Sequence, residues 1–299
     1  MKTRRILAYC ALCAALIIAV QVFGSDTESI KKQWKASPHA GSMDTPEEKE
    51  SMNKKGCAKC HLAQGYHEVI LAGKESSAPY EDPEGLTCIA CHHPFDDKSK
   101  PGALRAGSPS NACLGCHNIV VTDSERHFSA CPQGFVQQGL GGAEFAGREY
   151  PSGAHAGLEK GCVSCHMAPP PDGPGGDLVG GHTHLAVAGE GDDAILNENA
   201  CDMCHGAISM EVVRRSQEKF RALLEELAGL LPKKPAASEE ETRPVPRFPK
   251  DPSLSDSEAM ASFNYYLIEK DGTYGIHNPA YTRALIEESI AALKAEKNK

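Results

Sequence analysis

The sequence predicts a mainly α, loop-rich fold with little or no sheet, and an interior filled by more than side chains. Three observations lead there. Large rings are scarce, with eight Phe, eight Tyr and the single Trp34 in 299 residues. Apolar residues recur at helical spacing after residue 207, whereas the segment before it is broken by Pro- and Gly-rich loops such as Pro169-Pro-Pro171-Asp-Gly-Pro-Gly-Gly176. Thirteen cysteines are the third observation, and the anomaly the rest must explain. Hydrophobic residues make up 40% of the chain, which argues against a wholly disordered protein, and the net charge of −9 argues against nucleic-acid binding.

The chain opens on a basic cluster, Lys2, Arg4 and Arg5, followed by an apolar run from Ile6 to Val20 and by Val22-Phe23-Gly24. That pattern reads as a signal peptide over residues 1–24, cleaved on export to a periplasmic or extracellular space. The alternative is an uncleaved anchor, because Ile6 to Phe23 is interrupted only by Gln21 and is just long enough to span a bilayer. Cleavage removes three basic residues and no acidic one, making the mature chain more negative still. Cys10 and Cys13 leave with it.

Ten of the eleven remaining cysteines obey one rule. They fall as Cys57-Ala-Lys-Cys60-His61, Cys88-Ile-Ala-Cys91-His92, Cys113-Leu-Gly-Cys116-His117, Cys162-Val-Ser-Cys165-His166 and Cys201-Asp-Met-Cys204-His205. Two thiols three positions apart on one helical turn can each form a thioether to a haem vinyl group. The histidine that follows then turns its imidazole onto the iron as proximal ligand. Zinc ribbons need four ligands and would not require His directly after each pair; a redox dithiol would not recur five times. The expectation is five covalently bound c-type haems, and a pentahaem cytochrome c whose haems form the core with C-terminal helices packed on it. Cys131 is left over, either buried and inert or paired with another chain.

Whether each iron keeps an open face depends on eight further histidines: His39, His67, His93, His127, His155, His182, His184 and His277. They outnumber the irons, so bis-His ligation of most sites is arithmetically open. Methionine is the competing ligand. Met167 and Met203 adjoin or lie inside motifs and read as gap fillers instead.

Several stretches around these histidines resemble the superfamily of ammonia-forming pentahaem nitrite reductases, octahaem reductases and hydroxylamine oxidoreductase. They are Trp34-Lys-Ala-Ser-Pro-His39, Gly153-Ala-His155, Gly180-Gly-His182-Thr-His184 and Asp271-Gly-Thr-Tyr-Gly-Ile-His277-Asn-Pro279. The resemblance implies that His39 serves the third haem, His155 the fifth, His182 or His184 the second, and His277 the fourth. Cys91-His92-His93-Pro94 also resembles the doubled histidine of small tetrahaem cytochromes, which puts His93 first for the first iron, then His127, then His67. One departure matters. Those nitrite reductases usually end the first motif in Lys, and here it ends in His61; their catalytic Arg, Tyr and His find no convincing match either.

The motifs start 31, 25, 49 and 39 residues apart, which is no repeat period. The expected organisation is a cytochrome domain over 25–231, a Pro-rich connector over 232–256 and a C-terminal helical segment over 257–299 that supplies a haem ligand. Ile208 to Leu231 reads as one amphipathic helix packed on the haem domain, a homodimer contact being the alternative. Ser255-Asp256 starts a second helix, with Met260, Phe263 and Leu267 on one face and Asp271-Gly272 as its stop. Asn278 caps a third, with Pro279 at its first position.

The function expected is relay of single electrons between redox partner proteins of a respiratory chain, with no catalytic residue assigned. The alternatives are a reductase of nitrite, hydroxylamine or a sulfur oxyanion at one open haem, and a membrane-anchored or polymeric electron conduit. The motif reading expects five haems per chain that resist acid–acetone extraction. Intact-protein mass measures this directly, and four or fewer attached groups would remove a motif from the set.

Overall fold

The computed structural model describes residues 27–43, 45–124, 127–234 and 245–298. The expected signal segment, the middle of the Pro-rich connector and the side chain of His127 lie outside the described residues. The architecture is mainly α and loop-rich. Sheet among the described residues is limited to two small antiparallel pairs. No helix among them is long and apolar enough to cross a membrane.

Helix α1 (residues 27–35) leads into α2 (Pro46–Met52), which is opened by a capping box between Thr45 and Glu48. The motif segment then runs through short helices: α3 (Lys55–His61), α4 (Cys88–Cys91) and α5 (Pro109–Leu114). A hairpin of β1 (Ile119–Ser124) and β2 (His127–Cys131) follows, with α6 (Gln133–Gln138) after it. Next come α7 (Val163–His166), the two-residue pair β3 (Val187–Ala188) and β4 (Ile195–Leu196), and α8 (Asp202–His205). Pro and Gly between these turns stop each helix within a turn or two, because Pro lacks the N–H and Gly pays the largest backbone entropy.

Three long helices close the chain: α9 (Met210–Leu230), α10 (Asp256–Asp271) and α11 (Pro279–Lys297). Their ends follow from side-chain chemistry. Ser255 Oγ accepts from the Glu258 amide at 3.2 Å while Glu258 Oε2 accepts from the Ser255 amide at 2.9 Å, a complete capping box. Gly272, at φ 73°, ends α10 in the left-handed region that a Cβ would penalise. Asn278 Oδ1 accepts from the Tyr281 amide at 3.2 Å, with Pro279 at the first helical position.

The largest apolar cluster belongs to these helices. Phe220, Leu224 and Leu227 of α9 meet Leu267 and Ile268 of α10 and Leu285, Ile286, Ile290 and Leu293 of α11. The apolar stripe of α9 therefore packs on the two C-terminal helices and buries its face within one chain, where the sequence suggested packing on the haem domain. Helix α10 also departs from expectation. Its buried side chains are Ala261, Ser262, Asn264, Tyr266, Leu267, Ile268 and Asp271, with Met260 and Phe263 only half-buried. The reason is that α10 is packed on two sides: α11 covers one, and the hairpin brings Phe128 against Phe263 and Tyr266 at ring distances of 5.5 Å on the other.

The motif segment buries fewer large apolar side chains, chiefly Leu62, Tyr66, Phe128, Val136 and Val179. Leu227 is wholly buried, so Leu227→Ala should cost about 2–5 kcal/mol in chemical denaturation. Ser255→Ala should cost only about 1 kcal/mol. Equal losses from the two substitutions would contradict this division between core and cap.

Candidate haem-iron sites

Each motif is wound as a single helical turn. The amides of His92, His117, His166 and His205 donate to the carbonyl of the first cysteine of their own motif, at 2.9–3.0 Å. The first motif ends helix α3 in the same way. An i to i−4 bond of this kind sets both cysteines along one side of the turn and directs the histidine off its end.

The structure then sets a second imidazole against four of these histidines. The ring centroids lie 6.4 Å apart for His92 and His182, 6.2 Å for His117 and His39, 6.1 Å for His166 and His277, and 5.9 Å for His205 and His155. A metal bonded to two imidazole nitrogens at about 2 Å each, with each nitrogen roughly 1 Å from its ring centre, needs rings about 6 Å apart. The donor set fits a haem iron on that ground. Among the described residues no cluster of three or more His, Cys, Asp or Glu could hold a bare ion. A pair suffices only where a porphyrin supplies the equatorial nitrogens.

The other ring nitrogen supports the same fit. His92 Nδ1 donates to Gly102 O at 2.7 Å, His155 Nδ1 to Ile276 O at 2.7 Å, and His166 Nδ1 to His184 O at 2.9 Å. His277 Nδ1 meets Asp271 Oδ1 at 2.6 Å, and His117 Nδ1 lies 3.4 Å from Gln133 Oε1. With the proton held at Nδ1, the lone pair of Nε2 on these five rings is left free to bind a metal. Burial, and after it the facing imidazole, lowers the pKa of His39 against His117 and of His182 against His92. Neutral rings are the form that binds metal.

The remaining candidates are placed otherwise. His182 faces His92, while His184 contributes its carbonyl to His166 and sits edge-on to His39 at 4.9 Å. Burial, then His39, pulls the His184 pKa down to about 3. His67 turns Nε2, the nitrogen a ligand would use, toward the carbonyls of Ile89 and Ala90 at 2.9 and 3.2 Å. His93 lies 3.8 Å from the Asp97 carboxylate. Neither of them, nor any other imidazole among the described side chains, is set against His61 as the four pairs are set.

The attachment cysteines form a connected series. Cys60 of the first motif lies beside Cys116 of the third, and Cys113 of the third lies beside Cys162 of the fourth. Cys165 reaches the Ala200 carbonyl, next to Cys201 of the fifth. Cys131 is exposed at the end of β2.

Sequence reasoning missed the residues that orient these rings. Asp271 was read only as a helix stop, and Gln133 and the carbonyls of Gly102 and Ile276 carry no motif at all. The signal within reach was the short spacing of Asp271 and His277 across a Gly-rich turn.

The choice between His182 and His184 is testable. His182→Ala should turn one low-spin ferric signal high-spin in electron paramagnetic resonance, while His184→Ala should leave the count of low-spin signals unchanged. The reverse result would assign the second site to His184.

No family model matches the chain, and no curated protein matches it. Among solved structures, the fold is similar to the outer cell wall cytochrome OcwA, with a TM-score of 0.55 and 21% identity over 88% of this chain and 49% of that one. An undecahaem cytochrome from the S-layer of Carboxydothermus ferrireducens also matches, with a TM-score of 0.49 and 18% identity over 83% of this chain and 40% of that one. The chain thus spans about half the length of the first of these structures, and its fold is that of a multihaem cytochrome.

Proposed function

We propose that this chain is an exported multihaem c-type cytochrome that relays single electrons between redox proteins of a respiratory chain. The observation that carries this reading is the set of four imidazole pairs near 6 Å, each with one ring from a Cys-x-x-Cys-His turn. A haem held in such a pair supplies one-electron redox chemistry. The chain's own part is to hold both axial positions with neutral imidazoles, which leaves a substrate no position at those irons. It also brings the motif turns close to one another: the third lies beside the first, second and fourth, and the fourth beside the fifth. Short spacing between successive groups is what an electron relay needs.

The fifth motif marks where a partner would dock. Met203 is 82% exposed and Cys204 and His205 are exposed with it, whereas in the fourth motif no residue from Cys162 to His166 is. Glu198 and Asp202 flank its first cysteine in sequence, and no Lys or Arg occurs from Leu185 to Met210. This edge suits a basic partner, drawn in by charge and weakened by salt.

A second reading is favoured by one feature. His61 faces none of the described imidazoles, and the side chain of His127 lies outside the described residues; if His127 does not bind there, the first iron keeps a face for nitrite, hydroxylamine or a sulfur oxyanion. Electron paramagnetic resonance of the oxidised protein separates the two. The carrier reading expects low-spin signals throughout, unmoved by cyanide or nitrite. A high-spin signal that responds to either ligand would assign inner-sphere chemistry to the first motif.

A further inference from the structure

Five of the paired histidines hold their Nδ1 proton on the protein, and four of the acceptors are neutral: the carbonyls of Gly102, Ile276 and His184 and the side-chain amide of Gln133. The fifth is different. His277 Nδ1 lies 2.6 Å from Oδ1 of Asp271, whose side chain is 1% exposed. The carboxylate only accepts: Oδ2 takes the Thr273 hydroxyl and, at 3.4 Å, the Thr273 amide. Among the described residues its one ion-pair partner is His277, and no Lys or Arg reaches it.

That placement is unfavourable on structural grounds alone. Asp271 is the last residue of α10, where the helix dipole disfavours a negative charge. A buried carboxylate without a cation costs more than the neutral acceptor that serves the other rings. A backbone carbonyl orients His92, His155 and His166 without that cost. What the carboxylate adds is charge. A charge-assisted hydrogen bond draws the Nδ1 proton away and makes Nε2 a stronger donor. A more basic ligand and a nearby negative charge both favour the ferric state.

We propose that Asp271 is a positioning residue that lowers the reduction potential of the iron site formed by His166 and His277, relative to the sites oriented by neutral acceptors. This rests on the reading of His277 as a distal ligand. The fourth motif lies beside both the third and the fifth.

The test uses the full-length haem-loaded protein in a redox titration read by electron paramagnetic resonance. Asp271→Asn keeps a hydrogen-bond acceptor beside His277 and removes the charge. One low-spin site should move to a higher midpoint potential with altered g-values, while the other sites stay where they are. Thr273→Val removes the hydroxyl that shares the carboxylate, leaves more charge for the imidazole, and should move the same site the opposite way. Unchanged midpoints in Asp271→Asn, or an upward shift in Thr273→Val, would overturn the proposal. If Asp271→Asn fails to fold, the sign in Thr273→Val decides. His277→Ala separates the two ideas: a full set of low-spin signals in that variant removes the ligand reading itself. One new high-spin signal there, beside unchanged midpoints in Asp271→Asn, removes only the tuning role.

Discussion

The arrangement of the candidate sites depends on one buried amide. Asn278 is 0% exposed, and its side chain makes four hydrogen bonds. Oδ1 accepts from the amides of Tyr281 and Gly153, and Nδ2 donates to Gln137 O and Ser152 Oγ. A single residue thereby caps α11, fixes the loop that carries His155 and holds the C-terminal end of α6. Leaving such a group unsatisfied costs about 1–3 kcal/mol per lost partner, so the three segments are held in register. A Cβ at Gly153 would come within 3.1 Å of Asn278 Oδ1, so a larger residue there would push the amide aside by a few tenths of an ångström. The rings on either side inherit this geometry. His277 directly precedes the amide, and His155 reaches across to Ile276 O.

Two kinds of interior divide the labour. The C-terminal helices form an apolar core in which Leu227, Leu267, Leu285 and Ile286 are wholly or almost wholly buried. Burial of that kind supplies stability without direction. The motif segment relies on directional contacts instead, with short turns, carbonyls and amides aimed at ring nitrogens. Buried amides join the two: Asn264 bonds both the amide and carbonyl of Ala143 and the Ser289 hydroxyl, and Tyr281 Oη meets the Gly142 amide. The helical core acts as a rigid frame, and the loop before the fourth motif is fastened to it at several points. Rigidity suits electron transfer, which gains from fixed distances and little reorganisation.

Much of this was legible in the chain. The Cys-x-x-Cys-His turns are local, so their spacing alone announces their geometry. The three long helices could be read from capping residues and period, because Ser255, Gly272, Asn278 and Pro279 act on their immediate neighbours. Their partners could not. The stripe of α9 reveals that one face is buried, and says nothing of which surface covers it. The packed face of α10 was misjudged for the same reason, since contacts on two sides widen it beyond a single stripe.

The second imidazoles show the boundary most clearly. Periodicity and spacing did not choose among eight spare histidines; resemblance suggested His39, His155, His277 and either His182 or His184, and the fold sets His39, His155, His182 and His277 beside motif histidines. His67 and His93 were equally plausible as residues, yet one is turned to carbonyls and the other to a carboxylate. By itself, the sequence determined where the Cys-x-x-Cys-His turns lie, where the long helices begin and end, and that the chain has imidazoles to spare. The tertiary structure alone decided which imidazole meets which, and that Asp271 stands behind His277. The physical reason is range: helix capping and a Cys-x-x-Cys-His turn act over a few residues, whereas a ring-to-ring gap near 6 Å is set by packing between segments 50 to 111 residues apart.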